Sequence, residues 1–456
     1  MRKFGSSEID HQISNVLIHQ SEELAKLERE TFSSVEECIA ESEELLRSLG
    51  YDAELNKARL EHHSSKDKKV IVIPSWEHLC IDAELSDNVN GELESIFTEE
   101  ELLKNEQAIR MLNEEYNVLH RLDKYDIAIS VTAGLLGAAV DILLVGIPKA
   151  GPDGIQAKPL SNLIRKSFHE RYPEAEMMKL ANSKMSKVPY DAQDHRNTIE
   201  YINGLSPYYH RLLTLGHDPL IGLIVGVFDI MTGRMTSIDK AGKIVSQVME
   251  NYADRKERDI FAAIAKQIIH FKSDVTTSMG LPAPFMAFFN LLQFGKIGEE
   301  EQTIAEIVQG MYYEGFDFIH FCSQSIPVMI VEVVTRLGYA FKRINEGHSI
   351  KESIPFSLNR VKHPKLATML FIGHSSATAI NAGKIVFNND IMAINYPQWI
   401  AFASYSYRQL KWAILTKPKV REAYVLGKID VELNELITSI DLTFDEFSKD
   451  YIVVFE

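Results

Sequence analysis

Residues 127–148 read IAISVTAGLLGAAVDILLVGIP, 22 residues with a single charge, Asp141, near the middle. A helix needs about 20 predominantly apolar residues to cross a bilayer, so this run has spanning length. A carboxylate inside such a run is costly to bury, and its retention points to a role. The run sets the first expectation: a mostly α protein with apolar segments suited to transmembrane or re-entrant placement.

The rest of the chain limits that reading. Its 456 residues, 45% hydrophobic and 25% charged, have globular proportions, and at about 150 residues per domain they make two to three domains. Mean hydropathy is −0.10, so any membrane part is a minority of the chain. Cys38, Cys80 and Cys322 lie far apart, which argues for a reducing compartment and against a disulfide framework or a cysteine-ligated zinc site. The opening MRKFGSSEIDHQ turns acidic and polar where a secretory leader is apolar, so the N-terminal portion is expected in the cytosol. The net charge of −16 sits almost wholly before residue 125, where acidic side chains outnumber basic ones about two to one. That asymmetry argues against general nucleic-acid binding by this part. It divides the chain into an acidic helical domain with a short β element (1–124), a larger helical region (125–428) and an acidic tail (429–456).

Within the acidic part, Leu24, Leu27, Val35, Ile39, Leu46 and Leu49 fall near helical spacing, which predicts one helix over Ser21–Gly50 with Gly50 as its stop. Val70–Ile73, ended by Pro74, predicts a strand. Thr98-Glu99-Glu100-Glu101 is a capping-box pattern opening a helix through Leu103, Ile109, Leu112, Tyr116 and Leu119. The tail is expected to be helical with a strand at Tyr451–Phe455.

Further weakly charged stretches follow at 219–232, 275–294, 319–331, 366–383 and 391–407. Leu366–Gly383 is uncharged but rich in small and hydroxyl residues, which suit close helix packing or the lining of a polar path. Ser375, Ser376, Thr378 and Asn381 are its candidate lining residues. A short echo links GLLGAAVDILLVG from Gly134 with GLIVGVFDIMTG from Gly222, each placing Asp-Ile seven residues on, at Asp141 and Asp229. One reading makes these two related half-spanning segments with gate carboxylates; the other makes them buried core helices, each with a capped or paired Asp.

Catalytic patterns are sparse. The 15 histidines include no H-E-x-x-H, and no Cys-x-x-Cys, G-x-S-x-G elbow or Walker-type loop occurs. His62-His63 reads as an exposed pair and Cys322, near His320, as a buried thiol. His217-Asp218 resembles a phosphohydrolase dyad, with His169, His195 and His210 as possible upstream ligands, yet Asp218 before Pro219 also makes a helix cap. No cofactor is expected. The strongest ligand candidate is YSYRQLKWAILTKPKVREAY from Tyr405, where Arg408, Lys411, Lys417, Lys419 and Arg421 alternate with Tyr405, Tyr407 and Trp412. Cations beside stacking rings suit a single-stranded oligonucleotide. A second basic cluster, with Arg336, Lys342, Arg343, Arg360, Lys362 and Lys365, precedes it. Anionic lipid and ordinary solvated surface are the alternative readings of both.

The segments GHDPLIGLIVGVFDIMTG, GHSSATAINAGKIVF and NNDIMAINYPQWIAF, in the C-terminal half, resemble the membrane effector of Hailong-type bacterial anti-phage defence. That resemblance implies an oligomeric anion channel, a nucleic-acid ligand and a role in abortive infection, and the expected form is a homo-oligomer in the bacterial inner membrane with a cytoplasmic N-terminal domain. It also implies control by short single-stranded DNA from a partner nucleotidyltransferase. The leading expectation is therefore a ligand- or partner-gated membrane effector. The alternatives are a soluble, cytoplasmic helical scaffold and a metal-dependent hydrolase built around His217 and Asp218.

Overall fold

The computed structural model describes residues 8–31, 35–54, 56, 69–85, 96–152, 154–295, 301–449 and 451–455. His62 and His63 lie outside them. The protein is mostly helical, 68% helix and 7% strand, as the patterning predicts. It divides into two compact units: a terminal unit, Met1–Val118 with Lys417–Glu456, and a central unit, Leu119–Thr416.

The chain opens with α1 (Glu8–Thr31) and α2 (Val35–Ser48), which hold residues 21–31 and 35–48 of the helix expected over Ser21–Gly50; residues 32–34 lie outside the described residues. Gly50 does close α2, at φ 83° and with its N–H donating to the Arg47 carbonyl. Next come β1 (Lys69–Ile73), α3 (Trp76–Leu85) and α4 (Glu99–His120). The capping box that opens α4 forms as expected: Thr98 N–H donates to Glu101 Oε2 at 2.8 Å, and Glu101 N–H to Thr98 Oγ1 at 3.3 Å.

The central unit starts with α5 (Lys124–Val140), extended by a π-helical turn over Asp141–Val145 that stops at Gly146. A hairpin of β2 (Lys149–Gly151) and β3 (Gly154–Gln156) leads to α6 (Pro159–Arg171) and α7 (Glu174–Ala181). Then follow α8 (Val225–Thr232), the antiparallel pair β4 (Arg234–Ile238) and β5 (Ile244–Val248), α9 (Ile260–Asp274) and α10 (Ile304–Tyr313). The unit ends with α11 (Phe318–Asn345), α12 (Leu366–Asn388), α13 (Tyr396–Lys411) and a second π-helical turn, Trp412–Thr416. Back in the terminal unit are α14 (Lys417–Phe447) and β6 (Tyr451–Phe455).

Within the terminal unit, β1 and β6 pair in parallel, Lys69 against Tyr451 through Ile73 against Phe455. The ring of Tyr424 on α14 packs tilted at 5.4 Å against the buried Tyr116 of α4, and its hydroxyl donates to Glu115 at 2.6 Å.

Two of the central unit's packing centres bear on the site. One gathers Val188, Tyr190, Ile202, Leu213, Ile230, Met235 and Met249 beneath the β4–β5 hairpin. The other is the bundle in which α5 packs on α11 and α12, and α13 on both of these. Small residues bring these helices close: a Cβ on Gly134 would lie 2.5 Å from the Gly373 carbonyl oxygen, and one on Gly137 2.6 Å from Val331 Cγ2. The 275–294 stretch is not a long helix. Pro282 and Pro284 interrupt it, and only a 3₁₀ segment, Met286–Leu291, forms.

Candidate functional site

The bundle interior holds paired polar groups beside apolar clusters such as Ala133, Val331 and Ala377. Asp141 is buried, and Lys384 Nζ donates to its Oδ2 at 2.9 Å and Asn381 Nδ2 to the same oxygen at 3.2 Å. Asn395 Nδ2 donates to Oδ1 at 2.8 Å. Asn381 is itself held, its Oδ1 accepting from the Asn395 N–H and from Trp399 Nε1. At the start of α5, Lys342 donates to Asp123 and, at 2.6 Å, to the fully buried Asp126, which also faces Lys365 at 3.4 Å. On α11, Glu332 accepts from Arg336 at 2.8 Å and from the Tyr405 hydroxyl, and His374 Nε2 stands 3.5 Å away. Gln398 Nε2 donates to Thr378 Oγ1 at 3.1 Å. Buried charges persist only when paired and hydrogen-bonded, and these are.

A second grouping is basic. Arg343, Lys351, Lys362, His348 and His363, with one acid, Glu352, line a cavity of about 780 Å³ beyond the C-terminal turn of α11. Arg343 Nε and His363 Nδ1 are buried there without a hydrogen-bond partner. An open, cation-rich cavity with unspent polar groups suits a phosphate-bearing ligand.

The third grouping lies under the β4–β5 centre. His210 Nε2 is 3.3 Å and His217 Nε2 3.7 Å from Asp191 Oδ1. On the other side, His217 Nε2 is 3.7 Å and His270 Nε2 3.5 Å from Asp274 Oδ2. Burial drives His217 down to about 4, so its imidazole is neutral at pH 7. Arg211 takes the other oxygen of Asp274 at 3.1 Å. His210 and Arg211 also line a neighbouring cavity of about 380 Å³.

The sequence candidates are distributed among these groupings unevenly. Asp141, Thr378 and Asn381 belong to the bundle network. Ser375 and Ser376 donate back to the Phe371 and Ile372 carbonyls of their own helix. Asp229 sits in another network, accepting from the Thr236 hydroxyl at 2.8 Å and N–H at 2.9 Å; both echo carboxylates are thus buried and hydrogen-bonded. Of the two basic clusters read from the sequence, Arg343 and Lys362 line the basic cavity. Lys365 is paired with Asp126, and Tyr405 is bound by Glu332 and stacked on His374 at 4.8 Å. Arg360 donates to Thr368 and Gln409 and lies 4.5 Å over the buried Trp412. Tyr407, Arg408 and Lys411 are exposed on α13. Lys417, Lys419 and Arg421 fall in the terminal unit, on α14, so the basic–aromatic segment is divided between units.

Asp218 does not join His217. Its Oδ1 accepts from the Leu220 and Ile221 N–H groups and its Oδ2 from the Phe285 N–H, which makes it a cap. His169 is exposed on α6, and His195 stacks on Tyr201 at 4.4 Å. Asp191, His270, Asp274, His348 and Lys351 carry no pattern that singles them out in the sequence. The one legible signal is His270 with Asp274 at i, i+4, which places both on one helical face. Compared with known proteins, the chain matches no family model, no curated sequence and no solved structure.

Proposed function

We propose that the chain is a membrane effector: α5 and α11 set the central unit into a bilayer, and a phosphate-bearing ligand controls it. The observation that carries this reading is the polarity of α5 and the turn after it. Their outward positions include Ile127, Leu135, Leu136, Leu143 and Leu144, all exposed, while the inward ones include Asp126, Ser130, Gly134, Gly137 and Asp141. A helix on a water-facing surface carries the opposite arrangement. The second long helix repeats the pattern, with an exposed stripe of Met329, Val333, Leu337 and Phe341 and buried His320, Gln324 and Thr335. Among the described residues, these two helical stretches are long and apolar enough to cross a membrane by length and composition. Apolar faces outside and paired charges inside are what a bilayer selects, since polar groups at that depth must be satisfied within the protein.

Two such helices cannot enclose an ion path, so conduction requires a homo-oligomer. The ligand reading rests on the basic cavity at Arg343, Lys351 and Lys362, and the proposed ligand is a short single-stranded oligonucleotide. The test is fractionation of the expressed full chain, with carbonate and high-salt washing of the membranes. Retention until detergent is added supports the reading; clean recovery as a monodisperse soluble species removes it.

A further inference from the structure

The His/Asp grouping holds unspent chemistry. His210 Nδ1 lies 2.9 Å from the Pro207 carbonyl, which can only accept, so in the neutral ring that nitrogen carries the proton. His210 Nε2 then presents a lone pair toward Asp191. It has no hydrogen-bond partner, and neither does either ring nitrogen of His217, His270 Nε2 or Asp274 Oδ2, all buried. Buried polar atoms are ordinarily paired, and a cluster of orphans needs an explanation. Lone pairs of imidazole and carboxylate converging from three stretches of chain repel one another unless a proton or a cation lies between them.

We propose that this grouping binds one divalent first-row transition ion, zinc above all, through His217, His270 and Asp274, with Asp191 and His210 facing the same His217 nitrogen. The separations of 3.3–3.7 Å between facing nitrogen and oxygen atoms match the edge of about 3.4 Å in a tetrahedron with metal–ligand bonds of about 2.1 Å. Each of the two candidate triads, Asp191 with His210 and His217 and His217 with His270 and Asp274, keeps its ligand atoms within 4.8 Å. A mixed imidazole and carboxylate set suits zinc over calcium or magnesium. The Pro207 carbonyl on the far side of His210 is the outer contact that fixes that ring. Arg211 neutralises only one oxygen of Asp274 and leaves Oδ2 free for the ion. The cavity beside His210 provides the entry path.

The test uses the full chain in detergent, stripped by chelator and titrated with cobalt(II), then with zinc(II) in competition. One cobalt per chain, giving visible absorption and displaced by zinc, is expected. His217→Ala and Asp274→Asn should weaken retention by about tenfold or more, while His169→Ala, exposed on α6, should match the wild type. X-ray absorption on the unmutated protein covers a variant that fails to fold, and it should show imidazole ligation. A folded chain that takes up neither ion, a first shell without imidazole, or full retention in a folded His217→Ala variant overturns the proposal.

Discussion

Lys384 on α12 donates to Asp141, just past the end of α5, across 2.9 Å in the buried centre of the bundle. Neither charge is stable there alone, because removing one partner leaves the other desolvated and unpaired. Lys384→Met is expected to cost about 3–5 kcal/mol and Asp141→Asn less, since Asn381 and Asn395 still bind a neutral side chain. The double variant should recover much of the loss. Thermal denaturation of all three checks this; strictly additive losses would show that the pair is not coupled.

Close packing of α5 on α12 makes Gly134 intolerant. Its Cβ would meet the backbone oxygen of Gly373, which cannot swing aside. Gly134→Ala should destabilise by about 1–3 kcal/mol despite the better helix propensity of alanine. On α12, Gly383 has nothing within 4 Å of an added Cβ, so Gly383→Ala should gain up to about 1 kcal/mol. Equal melting shifts in the two variants would contradict the packing.

Asp229 provides a pH signature. Burial raises its carboxyl to about 6, against the Thr236 hydrogen bonds that pull it down. A folded value above the unfolded one means that the native state holds the extra proton. The cost of burying the charge is absent below about pH 4 and complete above about pH 6, reaching about 3 kcal/mol. The stability difference between Asp229→Asn and wild type should therefore change across that window, in favour of the variant as pH rises. A difference that stays constant from pH 4 to 7 would rule out the assignment.

The basic cavity separates two ligand loci. Lys351→Glu with Lys362→Glu should weaken binding of a fluorescent single-stranded oligodeoxynucleotide by about tenfold or more, as the loss of charge-assisted hydrogen bonds does. Charge reversal at Arg408, Lys411 and Lys419 should weaken it less, and gating that survives both sets removes the oligonucleotide proposal. A larger loss from the second set would move the ligand to the exposed helices.

Elements governed by neighbouring residues are legible in the amino-acid order alone. The apolar run forms α5, the Thr98–Glu101 pattern forms a capping box, and the two β-branched runs form β1 and β6. Helical period, caps and strand composition act within a few residues, so the sequence by itself determined them. Asp218 also shows its capping role in its own dipeptide with Pro219.

Pairings across the chain are not legible in that way. Nothing local says that Lys69 lies beside Tyr451, that Asp141 meets Lys384, or that Asp191, His217 and Asp274 converge. Arg360 and Tyr405 read as free recognition groups until the fold binds them to Gln409 and Glu332. Which charges are spent on partners and which stay open, as in the cavity at Lys362, depends on how distant helices pack. Only the tertiary structure decides that packing, through side-chain volume and backbone approach at places such as Gly134 against Gly373, which one-dimensional periodicity does not encode.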